Sequence, residues 1–417
     1  MNRFASRIPA VAGTIVARIV VLAAGLGASI VTARALGPGG RGQYYALTTV
    51  AATIAQFGNL GLSSSNTYLA ARDRAASWSL VVNGLWICAA IAVIAVAVIA
   101  VTGEQLAVRL QVPRELLWAA CLLGPAMLAF TFGSSVLVAN ERFGSLNGWQ
   151  VLNALLAAGA LGACAAMGAG VSTFVMATAL AAIVTVGVLT VDLARGQRIS
   201  LRFDISLFRR GMAFASRAYL ALLIAFLLQR AAVTLLAAYR APREIGFFSV
   251  AAQIYDVLVI FPTSVSMVLF PMLIRQRTET WATTRQVLMV TFCVMLVACV
   301  LAAILGRPLI PLVFGHAFTP SYAVMLWLLP GVILISIITI LSQFLVADGF
   351  PAALVVNWVV GFGCCLAAGI PLTERFGAPG AAAAQSIGIA AVAIGATFLT
   401  AQRIRGAARR EATACGS

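Results

Sequence analysis

The segment from Arg285 to Leu305 carries a single charge in 21 residues, and that pattern recurs along the whole chain. An α-helix rises about 1.5 Å per residue, so about 20 apolar residues cross the roughly 30 Å of hydrocarbon in a bilayer. Inside that hydrocarbon every backbone N–H and C=O must find a partner within the protein, which an unbroken apolar run achieves as a helix. Apolar runs, read against Gly, Pro and charged breakers, predict twelve spans at 8–33, 43–69, 78–101, 115–139, 146–168, 171–193, 211–238, 245–273, 284–305, 321–347, 352–372 and 378–402. The expected fold class is therefore all-α, a polytopic membrane protein of about 12 transmembrane helices. Composition agrees: 62% hydrophobic and 10% charged residues, with mean hydropathy +1.02, lie far outside the range of a soluble domain. The first run is too long for a signal-peptide core, so it is read as a retained helix.

The net charge of +16 comes from 28 basic residues, all arginine. A sequence pI near 10.7 also suits nucleic-acid binding, so the placement of the arginines has to decide. An even number of spans puts both termini on one side. With the N-terminus inside, and Arg285 at the inner edge of span 9 counted with the inside segments, 17 arginines fall inside, 8 in outside loops and three deeper within spans. The bias assigns both termini to the cytoplasm by the positive-inside rule, and it explains the charge without a nucleic-acid partner. The longest and most basic loop, "RGQRISLRFDISLFRR" from Arg195 to Arg210, lies mid-chain and marks a join. It is read chiefly as an orientation signal, with a contact to anionic lipid as the alternative.

The segments on either side of the join look related. "GPGGRGQYYALTTVAATI" after span 1 resembles "APREIGFFSVAAQIYDVL" after span 7, with Pro38 over Pro242 and Gly42 over Gly246 at one offset. Two six-span lobes related by an axis along the membrane normal follow, an arrangement in which transporters tend to bind substrate between the lobes. The expected domains are an N-terminal lobe at 1–194, a basic cytoplasmic linker at 195–210, a C-terminal lobe at 211–402 and a basic cytoplasmic tail at 403–417.

Several chemistries are disfavoured. The eight cysteines sit almost wholly in apolar runs and show no metal-ligand spacing with the single histidine, His316, so neither a disulfide framework, a metal site nor a cofactor is expected. "GPGGRG" has the glycines of a phosphate-binding loop, but it joins two spans and lacks the Gly-Lys-Ser/Thr ending. It reads as a turn on the outer face. The outside loops are short and hold only Glu104, Glu115, Glu244 and Glu374 as acids, which argues against a membrane glycosyltransferase or polymerase.

Six stretches in order, "ARALGPGGRGQYYAL", "NLGLSSSNTYLAAR", "LVANERFG", "EIGFFSVAAQIYDVLVIFPTSVSMVLFPML", "LVFGHAFTPSY" and "ERFGAPGAAAAQSIG", resemble the polysaccharide flippases of the multidrug/oligosaccharidyl-lipid/polysaccharide exporter superfamily. The resemblance implies a V-shaped helical transporter, not an enzyme. Such a protein moves a polyprenyl-pyrophosphate-linked oligosaccharide across the bacterial cytoplasmic membrane, alongside polysaccharide polymerase or glycosyltransferase partners. Tyr68 stands where many relatives have an arginine.

A charge within hydrocarbon costs several kcal/mol, so it is expected to face a cavity or a partner. Three arginines qualify: Arg18, about ten residues into span 1, and Arg217 and Arg230 in span 7. The planar guanidinium stays charged at any depth and binds phosphate oxygens in pairs, which suits a pyrophosphate. The resemblance adds that several relatives carry an arginine in the first half of span 1, which Arg18 matches. Arg217, two turns from a helix end, is also placed to snorkel. Asp256, mid-span in "AAQIYDVLV", has two readings: an ion pair with Arg230, or a proton- or sodium-coupling carboxylate. Span amides such as Gln56, Asn59, Asn83 and Asn357 are read by default as interhelical hydrogen-bonders. The small residues of spans 1, 5 and 12 are read as close-packing surfaces. A drug/cation antiporter of the same superfamily is the alternative function, though spans 1 to 5 have no carboxylate well inside them.

Overall fold

A computed structural model of the chain describes residues 8–197, 199–275, 280–347 and 352–415, and among these it contains helices and turns with no strand. The first two predicted spans form one element, α1 (Ile8–Asn59), continued by α2 (Leu62–Arg72). Then follow α3 (Ser77–Leu110), α4 (Arg114–Ala139), α5 (Phe143–Ala166) and α6 (Val171–Ala194). The second half repeats the series with α7 (Ile205–Tyr239), α8 (Pro242–Arg275), α9 (Thr280–Phe314), α10 (Ser321–Val346), α11 (Ala352–Phe376) and α12 (Ala378–Cys415). Eleven of the described helices are long and apolar enough to cross a membrane, and the first of these apolar stretches, Val16–Asn59, has 44 residues, enough for two crossings.

The turn expected at "GPGGRG" is made by a single residue between two helical legs. Gly37 alone leaves helical geometry, at φ 63° and ψ −178°, a region that only glycine enters readily. Helix resumes at Pro38, where a missing N–H costs nothing because the first helical donors have no intrahelical partner. Two boundaries differ from the sequence reading. Helix α7 begins inside the basic linker, at Ile205, because the Asp204 carboxylate accepts hydrogen bonds from the N–H groups of Ser206 and Leu207 at 3.0 Å. Those bonds, that from Leu207 foremost, hold the Asp204 carboxyl below the usual carboxylate range. The tail, expected as a separate segment from 403, continues α12 as far as Cys415.

The chain divides into two compact units, Met1–Tyr219 with Ala241–Gly246, and Leu220–Arg240 with Phe247–Ser417. In the first, Trp78, Val81, Val136, Leu137, Leu189 and Leu193 bring α3, α4 and α6 around one core. In the second, Leu269, Ile340, Phe344 and Leu354 do the same for α8, α10 and α11. Small residues seat α11 against α12: a Cβ on Gly361 would meet the Gly388 carbonyl oxygen at 2.8 Å and overlap Val392. Close backbone approach of this kind replaces the hydrophobic drive that lipid does not supply. The span 12 glycines pack closely and the small residues Ala17, Ser29 and Ala33 of span 1 are buried, whereas around Gly13, Gly25, Gly27, Gly148, Gly159 and Gly162 nothing lies within 4 Å of a built Cβ.

Hydrogen bonds sort the loops by end. Asn140 donates to Ser77 at 3.1 Å, Trp78 to the Ser200 carbonyl at 3.1 Å and Arg142 to Asp192, collecting three segments read as cytoplasmic. Gln43 donates to the Gln111 carbonyl at 2.6 Å, joining two read as external. In the second unit Arg240 reaches the Thr373 carbonyl at 3.0 Å, and Arg403 the Phe344 carbonyl at 2.7 Å, each again linking segments assigned to one side.

Candidate functional site

Arg18 lies on the lower leg of α1, one turn above Thr14, whose hydroxyl accepts a bond from Asn147 of α5 at 2.9 Å. Its neighbour Ala17 is buried, whereas Arg18 itself is exposed. Gly25, seven residues on and thus on the same helical face, has open space where a side chain would stand. This face of α1 is therefore a cation beside an unfilled surface, within a stretch otherwise apolar enough to cross a bilayer.

Arg217 falls on α7 with Arg18 in the first unit, but its side chain lies outside the described residues. Arg230 and Asp256 belong to the second unit. Arg230 is half-buried, with its guanidinium 5.6 Å from the centre of the Phe226 ring, and its charge acts on Asp256. The Asp256 carboxylate is itself exposed. Of the four residues singled out, Arg230 and Asp256 are brought together, and Arg18 belongs to the other unit. Thirteen residues separate Arg217 from Arg230, which at about 100° per residue leaves them some 140° apart around a straight helix.

Three polar groups are structural anchors, Asn83 and Asn357 among them as hydrogen-bonders. Asp192 of α6 accepts bonds from Arg142 at 2.9 and 3.0 Å and from the Trp149 indole at 3.1 Å, so "ERFG" contributes its arginine, not its glutamate, to an ion pair. Asn83 exchanges two hydrogen bonds with the backbone of Asp204, and Asn357 donates to the Val392 carbonyl at 2.8 Å. We expect Asp192→Asn to lower stability by about 1.5–3 kcal/mol, the worth of a hydrogen bond to a charged group. Thermal unfolding in detergent, with Arg142→Met as the second arm of a double-mutant cycle, measures the coupling.

Sequence reasoning missed Arg41. It is 4% exposed, its guanidinium donates to Ser29 at 2.9 Å and to Thr32, and it lies 5.8 Å from the centre of the Tyr44 ring. Arg41 therefore ties the leg of α1 above Gly37 to the leg below it. The signal was present as two hydroxyl residues nine and twelve positions before an arginine with a Gly-Pro between them. Read as a turn, the segment concealed it. Tyr44 extends the network to Thr178 of α6 at 3.0 Å.

The two related motifs also meet. A Cβ on Gly42 would overlap the Pro242 carbonyl oxygen, and one on Gly246 would overlap that of Pro38. The pairing of Pro38 with Pro242 and Gly42 with Gly246 in sequence is thus a reciprocal contact in space, made inside the first unit, to which Ala241–Gly246 belongs.

A profile of the polysaccharide biosynthesis protein family matches residues 31–323, more than half of the chain. The chain belongs to this family. No curated relative matches the sequence. Among solved structures, it is similar to the lipid II flippase MurJ in an inward closed conformation, at TM-score 0.78 and 14% identity, over 92% of this chain and 86% of that one. An inward-facing multidrug resistance MATE family transporter of the MOP superfamily gives 0.73 and 14%, over 92% and 94%. A point mutant of the Vibrio cholerae MATE transporter VcmN gives 0.66 and 15%, over 94% and 95%. This polysaccharide biosynthesis family member thus has the fold of the MOP superfamily. Among its described residues no three His, Cys, Asp or Glu side chains are grouped to hold a metal, and seven of the cysteines are free thiols.

Proposed function

We propose that this protein flips a polyprenyl-pyrophosphate-linked oligosaccharide across the bacterial cytoplasmic membrane by alternating access, without catalysing a covalent step and with both termini in the cytoplasm. The observation that carries the reading is Arg18, an exposed guanidinium on an apolar helix beside the open surface at Gly25. A cation at that depth suits a cargo whose charged part must cross hydrocarbon. Its planar donors match pairs of phosphate oxygens, with Arg217 as a second cation from the same unit, while the prenyl tail remains in lipid. Membership of a polysaccharide biosynthesis family supports a glycan cargo. Glycosyltransferases and a polymerase acting on the same glycan are the expected partners. The decisive experiment is deletion of the gene in a strain with no redundant flippase. Lipid-linked oligosaccharide is expected to accumulate on the cytoplasmic leaflet, and normal surface glycan would sink the proposal.

Ion-coupled drug export is the second reading, favoured by an exposed mid-span carboxylate at Asp256. In the first unit, however, Asp192 is occupied by Arg142 and Trp149. We assign Asp256 to charge balance with Arg230. Asp256→Asn is therefore expected to leave transport in proteoliposomes undiminished from pH 5 to 8 while lowering thermal stability. Transport that falls and loses its pH dependence would instead make Asp256 the coupling group.

A further inference from the structure

The linker carries apolar residues among its cations: Ile199, Leu201, Phe203 and Ile205 alternate in sequence with Ser200, Arg202 and Asp204. All four apolar side chains are exposed, Ile199 at 71% and Leu201 at 66%. The backbone that bears them is fastened along the first turns of α3. Trp78 donates to the Ser200 carbonyl at 3.1 Å, Trp86 to the Leu201 carbonyl at 2.9 Å, and Asn83 to that of Asp204 at 2.9 Å.

Trp86 gives the depth. Its indole N–H is paired while 55% of the residue stays exposed, on a helix apolar enough to span. A wet polar tip on an apolar ring is the arrangement that places tryptophan at the boundary between headgroups and acyl chains. A strap held against that indole lies at the same level, with its apolar side chains turned to acyl chains. Its cations Arg202, Arg209 and Arg210 are all exposed, against Asp204, whose carboxylate is used to start α7. The charge at headgroup level is therefore positive.

We propose that the linker from Ile199 to Arg210 is an interfacial strap that binds the headgroups of anionic phospholipid, with Ile199, Leu201 and Phe203 anchoring it among the acyl chains. Near a membrane surface each arginine contributes about five-fold in affinity for anionic lipid. This site is independent of the cargo reading, because none of these residues is assigned to cargo.

Native mass spectrometry of the full chain released from vesicles of equal phosphatidylglycerol and phosphatidylcholine tests it. The wild type is expected to retain phosphatidylglycerol at least ten-fold over phosphatidylcholine. The variant combining Arg202→Gln, Arg209→Gln and Arg210→Gln is expected to bind phosphatidylglycerol on the order of 100-fold more weakly. If that variant does not fold, single substitutions, each expected to cost about five-fold, carry the same test. Arg109→Gln, near the far end of α3, should change nothing. Leu201→Ser should also weaken retention, since a bilayer lipid needs the apolar anchor and free phosphate does not. Equal retention of the two lipids, unchanged retention in the glutamine variants, or displacement by millimolar inorganic phosphate with no effect of Leu201→Ser would each overturn the proposal. So would a dimer that Leu201→Ser dissolves, which would assign the apolar edge to a second copy of the chain.

Discussion

Arg18→Gln is expected to cut flipping of the lipid-linked oligosaccharide by about ten- to 100-fold while leaving expression and thermal stability close to wild type. The size follows from the 1.5–3 kcal/mol that a hydrogen bond to a charged group contributes. The separation of activity from stability follows from burial: Arg18 is exposed, and Ala17 beside it is buried. Arg18→Lys keeps a charge but loses the planar pair of donors, so it should retain part of the activity. Transport in proteoliposomes, read beside a melting curve for each variant, checks both statements. A loss of stability equal to the loss of transport would make Arg18 a packing residue and remove the main support for the cargo reading.

The second large effect concerns the reciprocal contact. Gly42→Ala and Gly246→Ala each place a methyl group against a backbone carbonyl oxygen, Pro242 in one case and Pro38 in the other. Neither oxygen belongs to a side chain that can swing aside, and each sits in the first turn of a helix, α8 for Pro242 and the upper leg of α1 for Pro38. The start of α8 must lift from α1 to admit the added atoms. Overpacking commonly costs 1–3 kcal/mol, and immovable backbone puts these substitutions at or above about 3 kcal/mol. Gly39→Ala is the control in the same motif, since nothing lies within 4 Å of its built Cβ. Thermal unfolding should rank Gly39→Ala near wild type and the other two far below it. Similar melting of all three would show that the motif yields where the geometry says it cannot.

The spans were legible in the sequence because lipid simplifies the code. Hydrocarbon excludes unpaired backbone, so the run from Arg114 to Ala139 has no alternative to a helix, and its predicted and observed limits differ by a single residue. The arginine bias grouped loops that hydrogen bonds then gathered at common ends, as between Trp78 and Ser200. Polar residues inside the spans were less legible, because a guanidinium or amide reads the same whether it meets a carbonyl, a ring or another charge. Asn83 and Asn357 bind backbone, Arg230 lies over Phe226 and acts on Asp256, and Arg18 is exposed. Composition and spacing carry none of these distinctions.

The sequence by itself determined the all-helical class, the number of crossings, the internal relation of Pro38 to Pro242 and of Gly42 to Gly246, and the short set of intramembrane charges. Each depends on the local cost of exposing backbone or charge to hydrocarbon, and a linear pattern records that cost. Only the tertiary structure decided that the turn at "GPGGRG" is a single residue held by Arg41, that the related motifs touch, that Asp192 is held by Arg142 and Trp149, and that the linker exposes its apolar side chains. Those outcomes turn on which residues, tens to hundreds of positions apart, are brought within hydrogen-bond or van der Waals distance. Packing of the helices sets that, and no window along the chain contains it.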